Sequence, residues 1–451
     1  MGNKFDLTNC TDQNNTQRII SDDTKLDIGY VPEKIPHREH IIEELLNNTF
    51  APVINENQGQ HAILVGPPGT GKTVTIKHIL QKVRENNDTS HIKTIYINCA
   101  DRSSGQAVYE KLCDDLGLKF VRGQGLSKNI TSIMEYINSE STPDLLVILD
   151  EIHELHSTRS DRDYLSRPVL YSLSRPHQCV SEVAEDGFKG NITFIGISNE
   201  ANIIEEIAPD VKSSLSHATY NFKKYTEEEI VDILSQRQQE AYSEEILSKP
   251  ALRKIAREIA QNFHGDIRKG IDILKNVPNG IESPSVVVDS QKKQIDVVES
   301  TIEKIQRDKI QQVFYSKDKH FYLVMSSLYQ QLKKGKPHLK YVTQSYSKAC
   351  EYAMVEKQGE DYKARKSFVY RQLEYLVKIG LLEKTKDYSE PKNPNCYEEI
   401  FNLEVFKEAV EDNLERERLL EKIRDQNLVL NLEEQEAANE AEEILDQHMN
   451  G

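Results

Sequence analysis

A glycine-rich segment restricts the possible folds of this chain more than any other part of its sequence. Residues 66–73 read GPPGTGKT and match the pattern G-x-x-x-x-G-K-[ST]. The segment follows the apolar run HAILV and opens a stretch with helical spacing. In this order of strand, loop and helix, backbone N–H groups and a helix N-terminus converge on an anion such as phosphate. The segment therefore predicts an α/β fold with a phosphate-binding loop after one of its strands.

Short apolar runs alternate with helical patterns through the first half of the chain. The runs occupy residues 61–66, 93–99, 144–150 and 191–199. Runs of aliphatic and β-branched residues without polar alternation are typical of strands buried on both faces of a parallel sheet. Because helical patterns lie between the runs, the predicted fold class is α/β, with a P-loop parallel sheet.

Pattern changes along the chain predict five segments. The strands stop near residue 222, where Thr226 and Glu229 form a capping-box pattern at the start of a helical stretch. Further on, helices precede a hairpin with a polar loop, which is the order of a winged helix. The predicted segments are a mobile tail at 1–30, the α/β core at 31–221, a helical lid at 222–290, a mostly helical winged-helix domain at 291–405 and an acidic tail at 406–451.

The charge of the chain is unevenly distributed. The formal net charge is −16, which for the whole chain argues against a simple nucleic-acid binder. Residues 291–410, however, contain 22 basic and 17 acidic residues. The one positive segment is therefore the segment with the order of a winged helix, and double-stranded DNA stays a candidate partner.

Composition also predicts the compartment. No apolar run reaches the length of about 18 residues that a membrane span needs, and the first residues lack the basic-then-apolar order of a secretory signal. The six cysteines are scattered without a CxxC pair, which is typical of reduced thiols. We expect a cytoplasmic, nucleoid-associated protein without a membrane partner.

The residues of the glycine-rich segment have separate predicted roles toward a nucleotide. Glycine permits the close approach of backbone N–H groups to phosphate oxygens. Lys72 is expected to reach the β- and γ-phosphates, and the Thr73 hydroxyl to hold Mg²⁺. The predicted nucleotide-binding residues are Gly66, Pro67, Pro68, Gly69, Thr70, Gly71, Lys72, Thr73 and Val74.

Polar residues at strand ends and in the lid are the candidate catalytic groups. Asp150 ends the buried run DLLVILD, where a carboxylate needs a cation such as Mg²⁺, and Glu151 is placed to act as general base on water. Asn199 ends the next run and could orient water without adding charge. Arg268 opens a lid helix, from which a guanidinium could reach the γ-phosphate.

These motifs, in this order, resemble an AAA+ ATPase. The segments VGPPGTGKT, ILDEIHEL, FIGISNE and HGDIRKGIDIL are most similar to archaeal replication initiators, relatives of the origin-recognition complex and its cell-division-control partner. The resemblance covers about residues 30–405. It implies ATP or ADP and Mg²⁺ as ligands, Walker A and Walker B roles for the two motifs, sensor 1 for Asn199 and sensor 2 for Arg268.

The resemblance also implies further binding residues. Val31, Pro36 and Arg38 would line the adenine pocket, with Tyr225 nearby. Residues 101–140 would hold an insertion that touches DNA. The DNA-binding candidates are Lys119, Arg122 and Lys128 in that insertion, Arg365, Lys366 and Arg371 in a major-groove helix, and Lys384, Lys386 and Lys392 in the hairpin. Origin DNA, the replicative helicase and other initiator copies are the implied partners.

One position departs from the family pattern. Asp210 stands in PDVKSSL, where the family usually has the arginine-finger candidate, and an aspartate cannot stabilise a phosphoryl transition state. The expected activity is therefore ATP binding with slow hydrolysis. Three functions stay open: an origin-binding initiator, a divergent paralogue that is a regulatory ATP switch on DNA, and a clamp-loader-like remodelling ATPase.

Overall fold

The computed structural model describes residues 21–419 apart from several gaps. The gaps are residues 56–58, 86–88, 90, 124–125, 140–143, 156–166, 180–189, 215–216, 244, 264, 278–290, 316, 336, 360, 387–394, 400–401 and 418. The chain divides into an N-terminal unit, Met1–Ile295, and a C-terminal unit, Asp296–Gly451. The division falls inside one continuous helix, Gln291–Phe314.

A five-stranded parallel sheet forms the centre of the N-terminal unit. Its strands are β1 (His61–Val65), β2 (Ile92–Asn98), β3 (Asp144–Asp150), β4 (Ile192–Ser198) and β5 (His217–Asn221). They lie in the order β2-β3-β4-β1-β5, and every neighbouring pair is parallel. The predicted α/β fold class is confirmed.

The fifth strand was not predicted by the sequence patterns. β5 reads HATYN and has no apolar run. It pairs with β1 along its whole length, from His61 opposite His217 to Val65 opposite Asn221. Because β5 is the last strand of the sheet, it needs fewer apolar residues than the strands between two neighbours.

Helices cover both faces of the sheet. Ile63 and Val65 belong to one core and Ala62 and Leu64 to the other. Alternate residues of β1 thus enter separate cores, which explains why its sequence is continuously apolar. The helices before the lid are α1 (Glu39–Leu45), α2 (Ala51–Ile54), α3 (Lys72–Glu85), α4 (Gly105–Leu116), α5 (Leu126–Ile137), α6 (Arg167–Ser174) and α7 (Pro209–Ser214).

Three of the described helices lie between β5 and residue 277. They are α8 (Glu227–Ala241), α9 (Lys249–Asn262) and α10 (Ile267–Asn276). The capping box predicted at the start of α8 is confirmed: Glu229 N donates to Thr226 Oγ1 at 3.4 Å, and Thr226 N donates to Glu229 Oε2 at 2.7 Å. This cap fixes where the chain leaves the sheet and enters the helical segment.

Residues 21–30 pack against these same helices. Asp23–Leu26 form a 3-10 helix in which Leu26 is buried. Ser21 N donates to Ala241 O at 2.8 Å, and Lys275 Nζ lies 2.7 Å from Asp27 Oδ1. The prediction of a mobile tail is wrong for these ten positions, since Ser21, Leu26 and Asp27 hold the segment against α8 and α10 through hydrogen bonds, burial and an ion pair. Residues 1–20 lie outside the described part of the chain.

The C-terminal unit has the arrangement of a winged helix. Its helices are α11 (Gln291–Phe314), α12 (Lys319–Lys333), α13 (Leu339–Tyr352), α14 (Tyr362–Lys378) and α15 (Leu403–Arg416). The antiparallel strands β6 (Leu382–Lys386) and β7 (Asn395–Glu399) form the hairpin, and a single bridge joins His338 to Cys396. Across the described ranges, no helix is both long and apolar enough to cross a membrane.

The acidic tail predicted from residue 406 begins inside a structural helix. Phe406, Val410 and Leu414 of α15 are buried in the core of the C-terminal unit, and so is Leu419 beyond the helix. The predicted boundary at residue 406 therefore falls inside α15, whose apolar residues recur at helical spacing among its charges. Residues 420–451 lie outside the described part.

Candidate functional site

The phosphate loop joins β1 to α3 and turns tightly. Gly69 and Gly71 have φ values of 72° and 93°, which favour glycine. A Cβ at Gly71 would lie 2.6 Å from Tyr225 Oη, so a larger residue has no room there. Thr70 Oγ1 donates to Pro67 O at 2.8 Å and closes the turn. The loop thus has the compact glycine backbone that a phosphate cradle requires.

Lys72 is the buried cation of the loop. Its Nζ donates to Gly66 O at 2.6 Å and to Pro67 O at 2.8 Å. Burial lowers the pKa of Lys72 to about 8, although the nearby Asp150 opposes this shift. Lys72 therefore places a buried amine within the loop, where the carbonyls of Gly66 and Pro67 accept its hydrogen bonds.

A cluster of oxygen atoms lies at the end of β3. Thr73 Oγ1 donates to Asp150 Oδ2 at 3.0 Å, and the Tyr96 hydroxyl donates to the same oxygen. Asp150 Oδ1 accepts from Glu151 N at 3.0 Å. Burial and the bond to Asp150 raise the pKa of Tyr96. Hydroxyl and carboxylate oxygens are ligands that Mg²⁺ prefers, so Thr73 and Asp150 fit the metal role predicted for them.

The candidate catalytic groups line the cleft above this cluster. Glu151 follows β3 with φ 56° and ψ 47°, a left-handed conformation that is uncommon for a non-glycine residue. Asn199 follows β4, the neighbour of β3. Arg268 comes from the first turn of α10. The structure therefore brings these three predicted residues to one cleft.

The cleft has a volume of about 330 Å³. Of the predicted residues it contains Pro68, Gly69, Thr70, Gly71, Lys72, Thr73, Val74, Asp150, Glu151, Asn199 and Arg268. Further lining residues that were not predicted are Ile28, Gly29, Tyr30, Lys77, Tyr96, Asn98, Ile197, Arg237, Ile267 and Ile271. The lining combines charged and polar groups with residues 28–30 and with Ile267 and Ile271 of α10.

The residues expected to form an adenine pocket have a different place. Val31, Pro36, Arg38 and Tyr225 do not line the cleft. Arg38 Nε donates to Thr70 O at 3.1 Å and its Nη2 to Lys223 O at 2.8 Å. Its guanidinium also stacks 3.9 Å from the centre of the Tyr225 ring. Arg38 thus joins the loop to Lys223 and to the Tyr225 ring.

Tyr30 and Arg237 line the cleft and contact each other. The Arg237 guanidinium lies 4.7 Å from the centre of the Tyr30 ring, and its Nη1 donates to Lys25 O at 3.4 Å. Tyr30 was assigned to the mobile tail. The available signal was the spacing of Leu26 and Tyr30, one helical turn apart, just before the core.

The predicted DNA-binding residues of the N-terminal unit surround α4 and α5. Lys119, Arg122 and Lys128 are exposed. Arg122 forms an ion pair with Glu110 of α4, which balances part of its charge. Residues 101–140 contain two packed helices of the core, with Ile133 and Met134 of α5 buried. DNA contact by this segment stays a prediction.

The candidates of the C-terminal unit differ in exposure. Lys366 and Arg371 of α14 are exposed, whereas Arg365 is half-buried and its Nη1 donates to Gly359 O at 3.3 Å. Lys384 Nζ lies 2.7 Å from Glu374 Oε1, and this bond raises the pKa of Lys384. Lys386 ends β6, and Lys392 lies outside the described residues. The exposed charges on α14 are the strongest of these candidates.

Family models match the two parts of the N-terminal unit. A model described as an AAA domain matches residues 55–203, and one described as the Cdc6 AAA+ ATPase-type lid domain matches residues 231–279. The first range contains the phosphate loop and β3, and the second contains Arg268. The helices α8, α9 and α10 are accordingly called the lid below.

Curated relatives match over longer ranges. The ORC1-type DNA replication protein 1 of Sulfurisphaera tokodaii is 30% identical over 301 residues, which are 66% of this chain and 70% of the relative. The ORC1-type DNA replication protein 1 of Aeropyrum pernix is 28% identical over 313 residues, 68% of this chain and 74% of the relative.

Solved structures share the fold. The Aeropyrum pernix ORC1 protein, solved in complex with DNA, has a TM-score of 0.63 at 22% identity, with 90% of this chain and 100% of that chain covered. Cdc6p from Pyrobaculum aerophilum has a TM-score of 0.51 at 20% identity, with 88% and 100% covered. These likenesses extend over the winged-helix unit as well as the sheet and lid.

Proposed function

The chain belongs to the ORC1-type DNA replication protein family, and from this membership we propose that it is an ATP-dependent replication initiator. It would bind double-stranded origin DNA and help to load the replicative helicase, acting with other initiator copies. ATP in the cleft would control the engagement of DNA. Hydrolysis would be slow, and its role would be to reset the switch.

The convergence of Lys72, Thr73 and Asp150 carries the nucleotide part of this proposal. A buried amine, a hydroxyl and a carboxylate meet beside a glycine loop that has no room for larger side chains. ATP or ADP with Mg²⁺ fits this set, since Thr73 and Asp150 would hold the metal and Lys72 the phosphates. When bound, Mg²⁺ would polarise the phosphoryl oxygens.

The other cleft residues would act on water and on the terminal phosphate. Glu151, half-buried next to Asp150, would accept the proton of the attacking water. Asn199 would orient that water through its neutral amide. Arg268 would donate hydrogen bonds from the lid, so that lid position and nucleotide state depend on each other.

Two observations support the DNA part. The C-terminal unit has a winged-helix arrangement with exposed Lys366 and Arg371 on α14. The relative from Aeropyrum pernix was solved with DNA. A helix with free cations on its surface is suited to a major groove lined by phosphates.

Footprinting on its own replicon tests this function. We expect a protected site near a replication start when ATP is present, and weaker protection for the Lys72→Ala variant. DNA affinity should also fall steeply with salt, because phosphate contacts release counterions. The absence of any protected site near a replication start, with ATP present, would refute the initiator role.

A regulatory role on DNA is the second candidate, and Asp210 favours it. This residue lies on α7, at the place where the family pattern has an arginine. Without that arginine the chain would not activate ATP hydrolysis by a neighbouring copy. Deleting the gene and mapping replication starts separates the two: changed starts support the initiator, and unchanged starts support the regulator.

A further inference from the structure

Asp266 holds the guanidinium of Arg268 side-on. Arg268 Nε donates to Asp266 Oδ1 at 2.8 Å, and Nη2 donates to Oδ2 at 2.6 Å. Asp266 is also the N-cap of α10, since its Oδ1 accepts from Arg268 N at 3.0 Å. A bidentate ion pair fixes the plane of a guanidinium as well as its position. The carboxylate therefore determines where the sensor arginine of the lid lies.

The same aspartate packs directly on the phosphate loop. A Cβ built on Gly69 would lie 2.0 Å from Asp266 Oδ1 and 2.6 Å from Asp266 Cα. Gly69 has a left-handed φ of 72°, so both its conformation and its surroundings require glycine. The N-cap of α10 and the loop are thus in contact at Asp266 and Gly69.

The ion pair also balances charge beside an anion site. The side chain of Asp266 is 17% exposed, whereas that of Arg268 is 47% exposed. A lone carboxylate next to the loop would repel phosphate, and a lone arginine at this exposure would sample many rotamers. Paired through Nε and Nη2, Arg268 retains its Nη1 group for a further acceptor.

We propose that Asp266 is a positioning residue. Its carboxylate orients the Arg268 guanidinium toward the terminal phosphate, and its packing on Gly69 couples that orientation to the loop. The inference rests on the proposed nucleotide function and extends it to a residue with no predicted role. Arg268 would be aligned before nucleotide arrives, and so little conformational freedom would be lost when it binds the phosphate.

Calorimetry with two nucleotides tests the role of Asp266. The ligands are ADP and a non-hydrolysable ATP analogue with an imido bridge, each with Mg²⁺, and the variants of the full chain are D266N, R268A and D266N/R268A. Asparagine caps helices as well as aspartate does, so the D266N melting temperature should equal that of the wild type. D361N is the matched control, because Asp361 likewise caps a helix, α14, by accepting from Ala364 N.

We expect R268A to lower the affinity for the ATP analogue by about 10-fold to 100-fold, the usual range for a lost charged hydrogen bond. The affinity for ADP should fall much less. D266N should show the same selective loss, and the double variant should be no weaker than R268A alone. D361N should bind both nucleotides like the wild type.

Three outcomes would overturn the inference. In the first, D266N binds the analogue as tightly as the wild type. In the second, the affinity losses of D266N and R268A multiply in the double variant. In the third, the affinity for ADP falls as much as the affinity for the analogue. A wild-type chain that binds neither nucleotide would overturn the proposed function together with this inference, and so the two failures are distinguishable.

Discussion

Thr73 Oγ1 and Asp150 Oδ2 lie 3.0 Å apart, although 77 positions separate the two residues in the sequence. Thr73 lies in the first turn of α3, at the end of the glycine-rich segment, and Asp150 ends β3. The carboxyl ends of parallel strands meet at one edge of the sheet, so the fold itself brings these side chains together. Their contact marks the centre of the candidate nucleotide site.

Replacing Lys72 by alanine should abolish nucleotide binding. The amine is the buried cation of the loop, and its loss removes the charge that would face the phosphates. We expect an affinity loss of at least about 100-fold, consistent with a lost charged contact in a buried site, measured by calorimetry with ADP. Lys82→Ala is the control, since Lys82 is exposed on the same helix. Equal affinity of Lys72→Ala and wild type would refute the phosphate-loop assignment.

Nucleotide affinity should fall as the pH rises through the pKa of Lys72. Burial lowers this pKa to about 8 in the free protein, and a bound phosphate would raise it because the anion favours the charged amine. Binding above pH 8 therefore takes up a proton, and affinity should fall by up to about tenfold per pH unit there. Calorimetry in buffers of different ionisation enthalpy measures the number of protons that are taken up on binding. Affinity that rises with pH would contradict the assignment.

Glu151→Gln should separate binding from turnover. The amide keeps the shape of the side chain but cannot accept a proton from water, so phosphate release should fall by about 10²-fold to 10⁴-fold while nucleotide affinity stays at the wild-type value. Glu154→Gln, an exposed position just downstream, is the control and should turn over normally. Unchanged turnover in Glu151→Gln would exclude this residue as the general base.

Tyr96→Phe should weaken the binding of nucleotide with Mg²⁺ more than binding without it. The hydroxyl donates to Asp150 Oδ2, the oxygen that also accepts from Thr73, so its loss frees the carboxylate to turn away. Calorimetry with and without Mg²⁺ gives the ratio of the two affinities. Tyr220→Phe in β5 is the control, because the Tyr220 hydroxyl has no hydrogen-bond partner among the described residues. Equal ratios in both variants would argue against a role for Tyr96.

The C-terminal unit should tolerate truncation after residue 420 but not after residue 410. The shorter chain loses Leu414 and Leu419, which are buried in the core of this unit, and removal of each large apolar side chain costs about 2–5 kcal/mol. The longer chain loses only residues 421–451, which carry 9 acidic and 2 basic residues. For the chain truncated after residue 420, we expect an unchanged melting temperature and a higher DNA affinity at low salt. Equal DNA affinity with and without these residues would exclude competition by the acidic segment.

The sequence predicted those site residues whose position follows from a local pattern. Lys72 and Asp150 each stand at a fixed place relative to a strand, and the parallel sheet brings the two places together. Tyr30 and Arg237 could not be found in this way, because their meeting depends on how residues 21–30 dock on the lid. The contacts of Arg38 could not be predicted either, because only the folded chain shows which carbonyls its guanidinium reaches.

The start of the acidic tail, which was placed at residue 406 on the basis of charge, falls inside α15, and periodicity could have placed it further on. Phe406, Val410 and Leu414 recur at intervals of four, which is the apolar stripe of a packed helix. The many acidic residues of that region concealed the stripe. β5 offered no such signal, since its polar sequence becomes a strand only by pairing with β1.

The docking of residues 21–30 on the lid gives the sheet core two connections to the same body. One runs from Tyr30 to Arg38, and the other runs from Asn221 to Thr226. Arg38 Nη2 donates to Lys223 O at 2.8 Å, which ties the two together. The two connections between the sheet core and the lid therefore meet at one place, next to the loop that Arg38 contacts through Thr70 O.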